Sequence, residues 1–423
     1  MSTALAPIPE RLRRFESLAY GLFVHFGLYS IAGRGEWYWH HHRVPRADYL
    51  KLFDRFDPHA FDARALVRRA KAAGLRYICL GTRHHEGFSL FDTCGLNTYD
   101  APHSPAGRDL VREFSDACDA EGMGKFFYLT TLDWWHEAFA DPARWDEYLA
   151  YLNASAEILA TRYGRVDGFW FDGNWWHKDR DWKEDALYGL LRKHQPETII
   201  VNNSSTGALG RVTHPMVDIA TFEQGAPRTP AGATGRHLAR ERCETFNSHW
   251  GIARNDFSFK SPAELIRILA ECRRHGANLL LNVGPRADGS LPAFEAASLD
   301  VIGKWIHTCG RSLYEGRPAK LLCRGEDFVL RGPDPDGRGE AFHYFAHHIE
   351  ITGNTHLHQG EPGRGLRTIQ GDLPSIARVS WTDNGEELRF TQDRAKGMLV
   401  FDATPHPYGE QHVIRVARLE PAS

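Results

Sequence analysis

The sequence predicts an α/β fold: an irregular (β/α)8-like barrel over residues 1–316, followed by a C-terminal antiparallel β-sandwich over 317–423. Three observations point to it. Eight apolar runs of strand length recur before residue 285, amphipathic segments of helical length follow many of them, and the texture of the chain changes after about residue 317.

The apolar runs span 20–26, 76–81, 125–130, 168–172, 198–203, 217–223, 243–247 and 277–284. Runs of this kind are buried on both faces, as strands are when helices cover the outside of a parallel sheet. The spacing predicts helices over 61–73, closing at Gly74, and over 108–120, closing at Gly122. Further helices are predicted over 142–163, ending at Gly164, over 184–194 before Pro196, and over 262–275 between Ser261 and Gly276. A serine oxygen satisfies free N–H groups at a helix start, and glycine accepts the left-handed turn at its end. No helical pattern stands between Asn203 and Asn247, so the barrel is predicted to be irregular on that side.

Beyond 294–314 the chain becomes rich in Gly, Pro, Thr and His, with alternating segments at 327–330, 341–346, 347–352 and 397–402. Turn residues lie between them, at Asp334 to Arg338 and at Asp383, Asn384 and Gly385. Asp-Gly and Asn-Gly between alternating segments indicate antiparallel hairpins.

Composition narrows the partners. The 423 residues carry 51 Lys+Arg against 54 Asp+Glu, a formal net charge of −3, so no basic field invites nucleic acid or an anionic membrane. No apolar run reaches the roughly 20 residues that span a bilayer, and the start at Met1 shows no signal-peptide pattern. The 7 cysteines, at 79, 94, 118, 243, 272, 309 and 323, lack CxxC spacing. A reduced, cytoplasmic compartment is therefore expected, with no metal site and no cofactor. The oligomeric state stays open, a homo-oligomer included. Most of the 12 Trp are expected to be packing, although aromatic faces also suit sugars.

In a parallel barrel the chemistry lies at the carboxyl ends of the strands. Those positions hold His25, His84, His85, Asp133, Asp172, Asn202, Asn203, Glu223 and Asn282. They are carboxylates and hydroxyl-binding groups, without cysteine or a glycine-rich phosphate cradle. Asp172 ends an apolar strand and is flanked by Trp170, Trp175 and Trp176. Such a carboxylate can attack an anomeric carbon when a second acid assists the leaving group; it can also simply cap the next turn. His84 and His85 are consecutive, so strand alternation turns only one of them toward the barrel unless the chain bends.

Six phrases, taken together, resemble glycoside hydrolase family twenty-nine, the α-L-fucosidases, from about residue 20 to residue 317. They are Gly21 to Ser30 (GLFVHFGLYS), Gly35 to Tyr38 (GEWY), Thr82 to Phe88 (TRHHEGF), Phe169 to Gly173 (FWFDG), Asn247 to Gly251 (NSHWG) and Asn278 to Pro285 (NLLLNVGP). The resemblance implies a retaining exo-fucosidase acting on fucosylated glycans, with Asp172 as nucleophile. His25, His84 and His85 hold sugar hydroxyls, Glu36 and Trp37 contact the sugar, and Trp170 shares its wall. An apolar slot for the C6 methyl falls to Phe26 or Trp250. For the acid/base, Glu223 matches the Glu of a Thr-Pro-Glu phrase, here with Phe222 in place of Pro; Glu241 matches a second family Glu and is the alternative. The one that is not the acid/base is expected to bind substrate.

Departures are also visible. Arg240 stands where the family often has Trp, Leu129 replaces a Tyr, and Asn202, Asn203, Ser204 and Ser205 replace Asn-Asp-Arg-Trp. His40, His41 and His42 read as a loop or helix edge, with metal binding as a remote option. Two other functions compete. A metal-dependent barrel hydrolase would gather His25, His84, His85 and Asp172 around zinc, but two histidines at i, i+2 on the first strand are missing. A fucose-binding non-enzyme would use the same scaffold, with the C-terminal domain as a lectin-like module.

Overall fold

A computed structural model of the chain describes residues 7–203, 206–230, 236–334, 339–352 and 365–422. Eight parallel strands close into a barrel in sequence order: β1 Tyr20–Val24, β2 Tyr77–Arg83, β3 Gly124–Thr130, β4 Gly168–Asp172, β5 Ile199–Asn203, β6 Ile219–Glu223, β7 Ala239–Glu244 and β8 Asn278–Val283. Closure runs through β1 and β8, paired from Tyr20 with Leu279 to Val24 with Val283. β5 and β6 pair at one position, Val201 with Ile219.

Helix ends follow the capping residues. Ala63–Ala72 starts at Asp62, whose carboxylate accepts from the Ala65 N–H, and Leu110–Glu121 starts at Asp109 and stops at Gly122 in the left-handed region. Glu184–His194 has the predicted bounds. The predicted 142–163 segment divides, because Asp141 caps a short 3-10 turn Pro142–Arg144 before the α-helix Trp145–Arg162 begins. Between β5 and β7 the described residues hold a single 3-10 turn, Thr206–Ala208, and no α-helix. The barrel is irregular where the helical pattern failed.

The seventh strand differs from its expected 243–247. It begins at Ala239, and Thr245 to Asn247 lie beyond its end. The run Ala-Arg-Glu-Arg-Cys-Glu is too charged to read as an inner strand. Its charges are nonetheless partnered: Glu241 accepts from Tyr77 on the face turned to the barrel interior, and on the opposite face Arg242 Nη2 donates to Glu244 Oε2 at 2.6 Å.

The C-terminal strands are β9 Arg317–Pro318, β10 Leu322–Cys323, β11 Phe328–Pro333, β12 Glu340–His347, β13 Gly365–Gln370, β14 Ile376–Trp381, β15 Phe390–Asp393, β16 Met398–Ala403 and β17 Ile414–Pro421. They form two antiparallel sheets, ordered β10-β13-β16-β15 and β14-β17-β12-β11-β9. Side chains of both, among them Tyr344, Ile369, Trp381, Leu399 and Phe401, share one apolar core, so this is a β-sandwich. The expected strand 347–352 is absent: His347 ends β12, and Ile351 makes one isolated bridge to His406. Of the expected turn at Asp334, residues 335–338 lie outside the described residues; Asp383 and Asn384 do form a turn.

Two compact units emerge, 1–260 with 278–299, and 261–277 with 300–423. Within the second, the buried Arg273 guanidinium donates to the carbonyls of Leu313 (2.9 Å) and Gly316 (3.2 Å), and Trp305 Nε1 donates to Ile414 O at 2.9 Å. These bonds tie the helices Pro262–Arg274 and Ala293–Cys309 to the segments that follow them. No helix among the described residues is long and apolar enough to cross a membrane.

Candidate active site

Asp172 is the last residue of β4, and the turn after it supplies its first partner. Trp175 Nε1 donates to Asp172 Oδ1 at 3.0 Å, while Tyr128, on the neighbouring strand β3, donates its hydroxyl to Oδ2 at 3.3 Å. On the other side, Asn203 ends β5 and donates one Nδ2 to two carboxylates, Asp172 Oδ1 at 3.2 Å and Glu223 Oε2 at 2.7 Å. The Thr221 hydroxyl donates to Asn203 Oδ1 at 3.0 Å and so fixes which way the amide faces. Burial raises Asp172 above its ordinary value, opposed by its hydrogen-bond donors. Glu223 is pushed up to about 7 by burial and by the charge of Asp172.

Asp172, Tyr128, Trp175, Asn203 and Glu223 line a cavity of about 210 Å³ with Phe23, His25, Trp37, His84, His85, Trp170 and Trp250. Burial holds the histidines neutral: His25 falls to about 4 and His85 to about 3. Their tautomers follow from their partners. Asn282 Nδ2 donates to the carbonyl of Trp250 at 2.7 Å, which turns its Oδ1 toward His25 Nδ1 at 2.6 Å. The Thr130 hydroxyl spends its one proton on Leu132 O at 2.6 Å, so it accepts from His85 Nδ1 at 2.7 Å. In both rings Nδ1 carries the proton and Nε2 keeps a lone pair. His85 Nε2 lies 3.6 Å from Asp172 Oδ2. His84 Nδ1 is buried and has no hydrogen-bond partner among the described residues.

For His84 and His85 to face the barrel together the chain has to leave strand alternation, and it does. β2 ends at Arg83, after a register shift between Gly81 and Arg83, so strand alternation no longer governs the two rings. Both face the cavity, with centroids 4.1 Å apart.

Two other expected sugar contacts act from behind the cavity wall. Glu36 is buried, and its Oε2 accepts from the backbone N–H groups of Trp250 (3.0 Å) and Gly251 (2.8 Å), which holds Trp250 in place. Glu241 is 1% exposed and does not line the cavity. Strand register gives the reason: Glu223 is level with Cys243, and Glu241 with Thr221, two residues deeper in the barrel. There it accepts from Trp170 Nε1 at 3.0 Å and from the Tyr77 hydroxyl at 2.5 Å.

Phe26 is also outside the cavity. It is buried against Phe56 and Phe61, beyond the end of β1, whereas the Trp250 ring faces His25 at 5.2 Å. His40 and His41 end a short helix, Tyr38–His41, followed by His42. Among the described residues, the carboxylates and imidazole spaced to share a metal are Asp383, Glu410 and His412 of the C-terminal unit, not the barrel histidines. Three lining residues were not among the strand-end or family-implied candidates: Phe23, Tyr128 and Trp175. Asn203 was a strand-end candidate without an assigned role, and Trp175 stood beside the Asp172 phrase. Tyr128 and Phe23 are interior strand residues with no local mark of function.

The sequence model of the family described as Alpha-L-fucosidase matches residues 6–311. A putative α-L-fucosidase of Caenorhabditis elegans is 26% identical over 332 residues, covering 72% of this chain and 67% of its own. The tissue α-L-fucosidase of Rattus norvegicus is 24% identical over 420 residues, 93% of this chain and 86% of the relative. Among solved structures, α-L-fucosidase isoenzyme 1 from Paenibacillus thiaminolyticus superposes with a TM-score of 0.79 at 29% identity, over 98% of this chain and 99% of that one. With a family match over most of the chain and a barrel mouth built from the matching phrases, the chain belongs to the α-L-fucosidase family of glycoside hydrolases.

Proposed function

We propose that the chain is an exo-acting, retaining α-L-fucosidase that releases terminal fucose from fucosylated glycans or oligosaccharides by double displacement. The observation that carries this reading is the amide shared by two carboxylates. Asn203 Nδ2 reaches Asp172 Oδ1 at 3.2 Å and Glu223 Oε2 at 2.7 Å, so those oxygens lie within the combined length of two hydrogen bonds. That upper limit is shorter than the roughly 6.5–9.5 Å of inverting pairs and admits the roughly 5–5.5 Å of retaining ones.

Two carboxylates this close do not both ionise readily, and the proton goes to the one with less support. Asp172 has three side-chain donors, from Trp175, Asn203 and Tyr128. Glu223, pushed up to about 7, keeps the proton. Asp172 then attacks the anomeric carbon as the bond to the leaving group breaks, and the Glu223 proton passes to the departing oxygen. In the second half Glu223 takes a proton from water, whose oxygen attacks the same carbon and frees Asp172. Two inversions give net retention.

The lone pairs on His25 Nε2 and His85 Nε2 accept sugar hydroxyls, and a hydroxyl set between His85 and Asp172 would separate two acceptors that otherwise face each other. A cavity of about 210 Å³ is smaller than the roughly 300–1,000 Å³ of drug-sized pockets, which supports removal of one terminal sugar. The C6 methyl is assigned to the face of Trp250. Seven cysteines with no disulfide between them support a reducing, cytoplasmic location. The test is to follow hydrolysis of 4-nitrophenyl α-L-fucoside by proton NMR. The α anomer of fucose is expected first; the β anomer as first product would overturn retention.

A further inference from the structure

We infer that the exposed indole of Trp176, buttressed by His40 and Trp134, is a stacking platform for the pyranose ring that leaves when fucose is released. The inference rests on the fucosidase reading above and names where the second sugar binds.

Trp175 and Trp176 are consecutive and do opposite things. Trp175 lines the cavity and donates to Asp172. Trp176, held in the same turn by its N–H to Gly173 O at 2.9 Å, leaves 36% of its surface in water. Its centroid is 6.1 Å from Trp175 and 6.1 Å from Trp37, and both of those rings are part of the cavity wall. The exposed indole is therefore continuous with the rim.

What holds it is also aromatic. His40 meets Trp176 edge to face at 5.2 Å and 83°, and stacks on Trp134 at 5.4 Å and 17°. Trp134 meets Trp176 at 6.5 Å and 66°. His41 lies almost parallel to Trp37 at 5.3 Å. Burial and the neighbouring His41 and Arg43 lower the His40 pKa, so this support stays uncharged at neutral pH.

The cavity takes one sugar, so the next ring must sit outside it, one glycosidic bond away. A pyranose presents axial C–H bonds on one face, and the negative face of an indole attracts them while both surfaces leave water. His40 and His41 can bond hydroxyls at the ring edge.

The experiment compares a fucosylated disaccharide with fucosyl fluoride, whose leaving group has no ring to stack. Trp176→Ala is expected to lower the ratio of kcat/KM, disaccharide over fluoride, by about tenfold, mainly through KM for the disaccharide. Trp176→Phe is expected to restore most of the ratio. Equal losses on both substrates, or no loss on either, leave the ratio unchanged and overturn the platform while fucose release stands. A wild-type protein that frees fucose from neither substrate overturns the underlying reading as well.

Discussion

Glu241 accepts the indole N–H of Trp170 at 3.0 Å from beneath the cavity floor. The carboxylate that rivals Glu223 in the sequence is thus a support for a wall residue. Glu223→Gln is expected to lower kcat on a disaccharide by about 10²- to 10⁴-fold, the usual contribution of a general acid. Glu241→Gln keeps an oxygen for Trp170 and is expected to lose less than about tenfold. Steady-state kinetics on both variants checks the order; a reversed order would return the acid/base role to Glu241.

Asp172→Gly removes the carboxylate proposed to attack, without touching the donors around it. Turnover is expected to fall by about 10³-fold or more. Azide should fill the vacated space and restore part of the rate, yielding fucosyl azide of the β configuration. An unchanged rate on an aryl fucoside would remove Asp172 from the mechanism.

The pH profile of kcat/KM is expected to be bell-shaped. Its basic limb reports Glu223, which must hold a proton and loses it as pH rises past about 7. Asn203 donates to the charged form of both carboxylates and so lowers both pKa values. Asn203→Ala therefore moves the basic limb to higher pH while lowering kcat. A limb shifted downward would contradict this sign.

Glu241 also predicts a stability change with pH. Burial raises it to about 7 in the fold, against about 4.3 in an unfolded chain. Between those values the native state holds a proton that the unfolded state has released, so stability falls as pH rises across that window. Relative to Glu241→Gln, which cannot ionise, the wild type is expected to lose melting temperature from about pH 4.3 to 7. Thermal melts of both proteins over that range measure it.

Glu36→Ala would leave the N–H groups of Trp250 and Gly251 without their acceptor, at a cost of about 1–3 kcal/mol each if they stay buried. The loop is expected to relax and KM to rise more than kcat falls. Inhibition by fucose gives an independent reading, since the proposed product would bind the same wall.

Much of this was legible in one dimension. Asp172 could be found because an apolar run stops there, and a parallel strand that stops at a polar residue presents it at the barrel mouth. Ser261 and the closing glycines sat beside helical patterns, whereas Asp62 and Asp109 fell inside the predicted segments and their capping roles appear only in the structure; the lack of a pattern after Asn203 marked the irregular side. Family phrases then supplied roles for His25, Trp37, His84 and His85. Tertiary structure alone decided depth and direction. Strand alternation says which face a side chain takes, but not its height in the barrel, which depends on the stagger between strands. That height separates Glu223 at the mouth from Glu241 two residues below it. Likewise the Asn203 bridge exists only because β4, β5 and β6 lie side by side, and the turn of both histidines inward only because β2 ends at Arg83. Local pattern located the carboxylates; distances across the barrel determined what each can do.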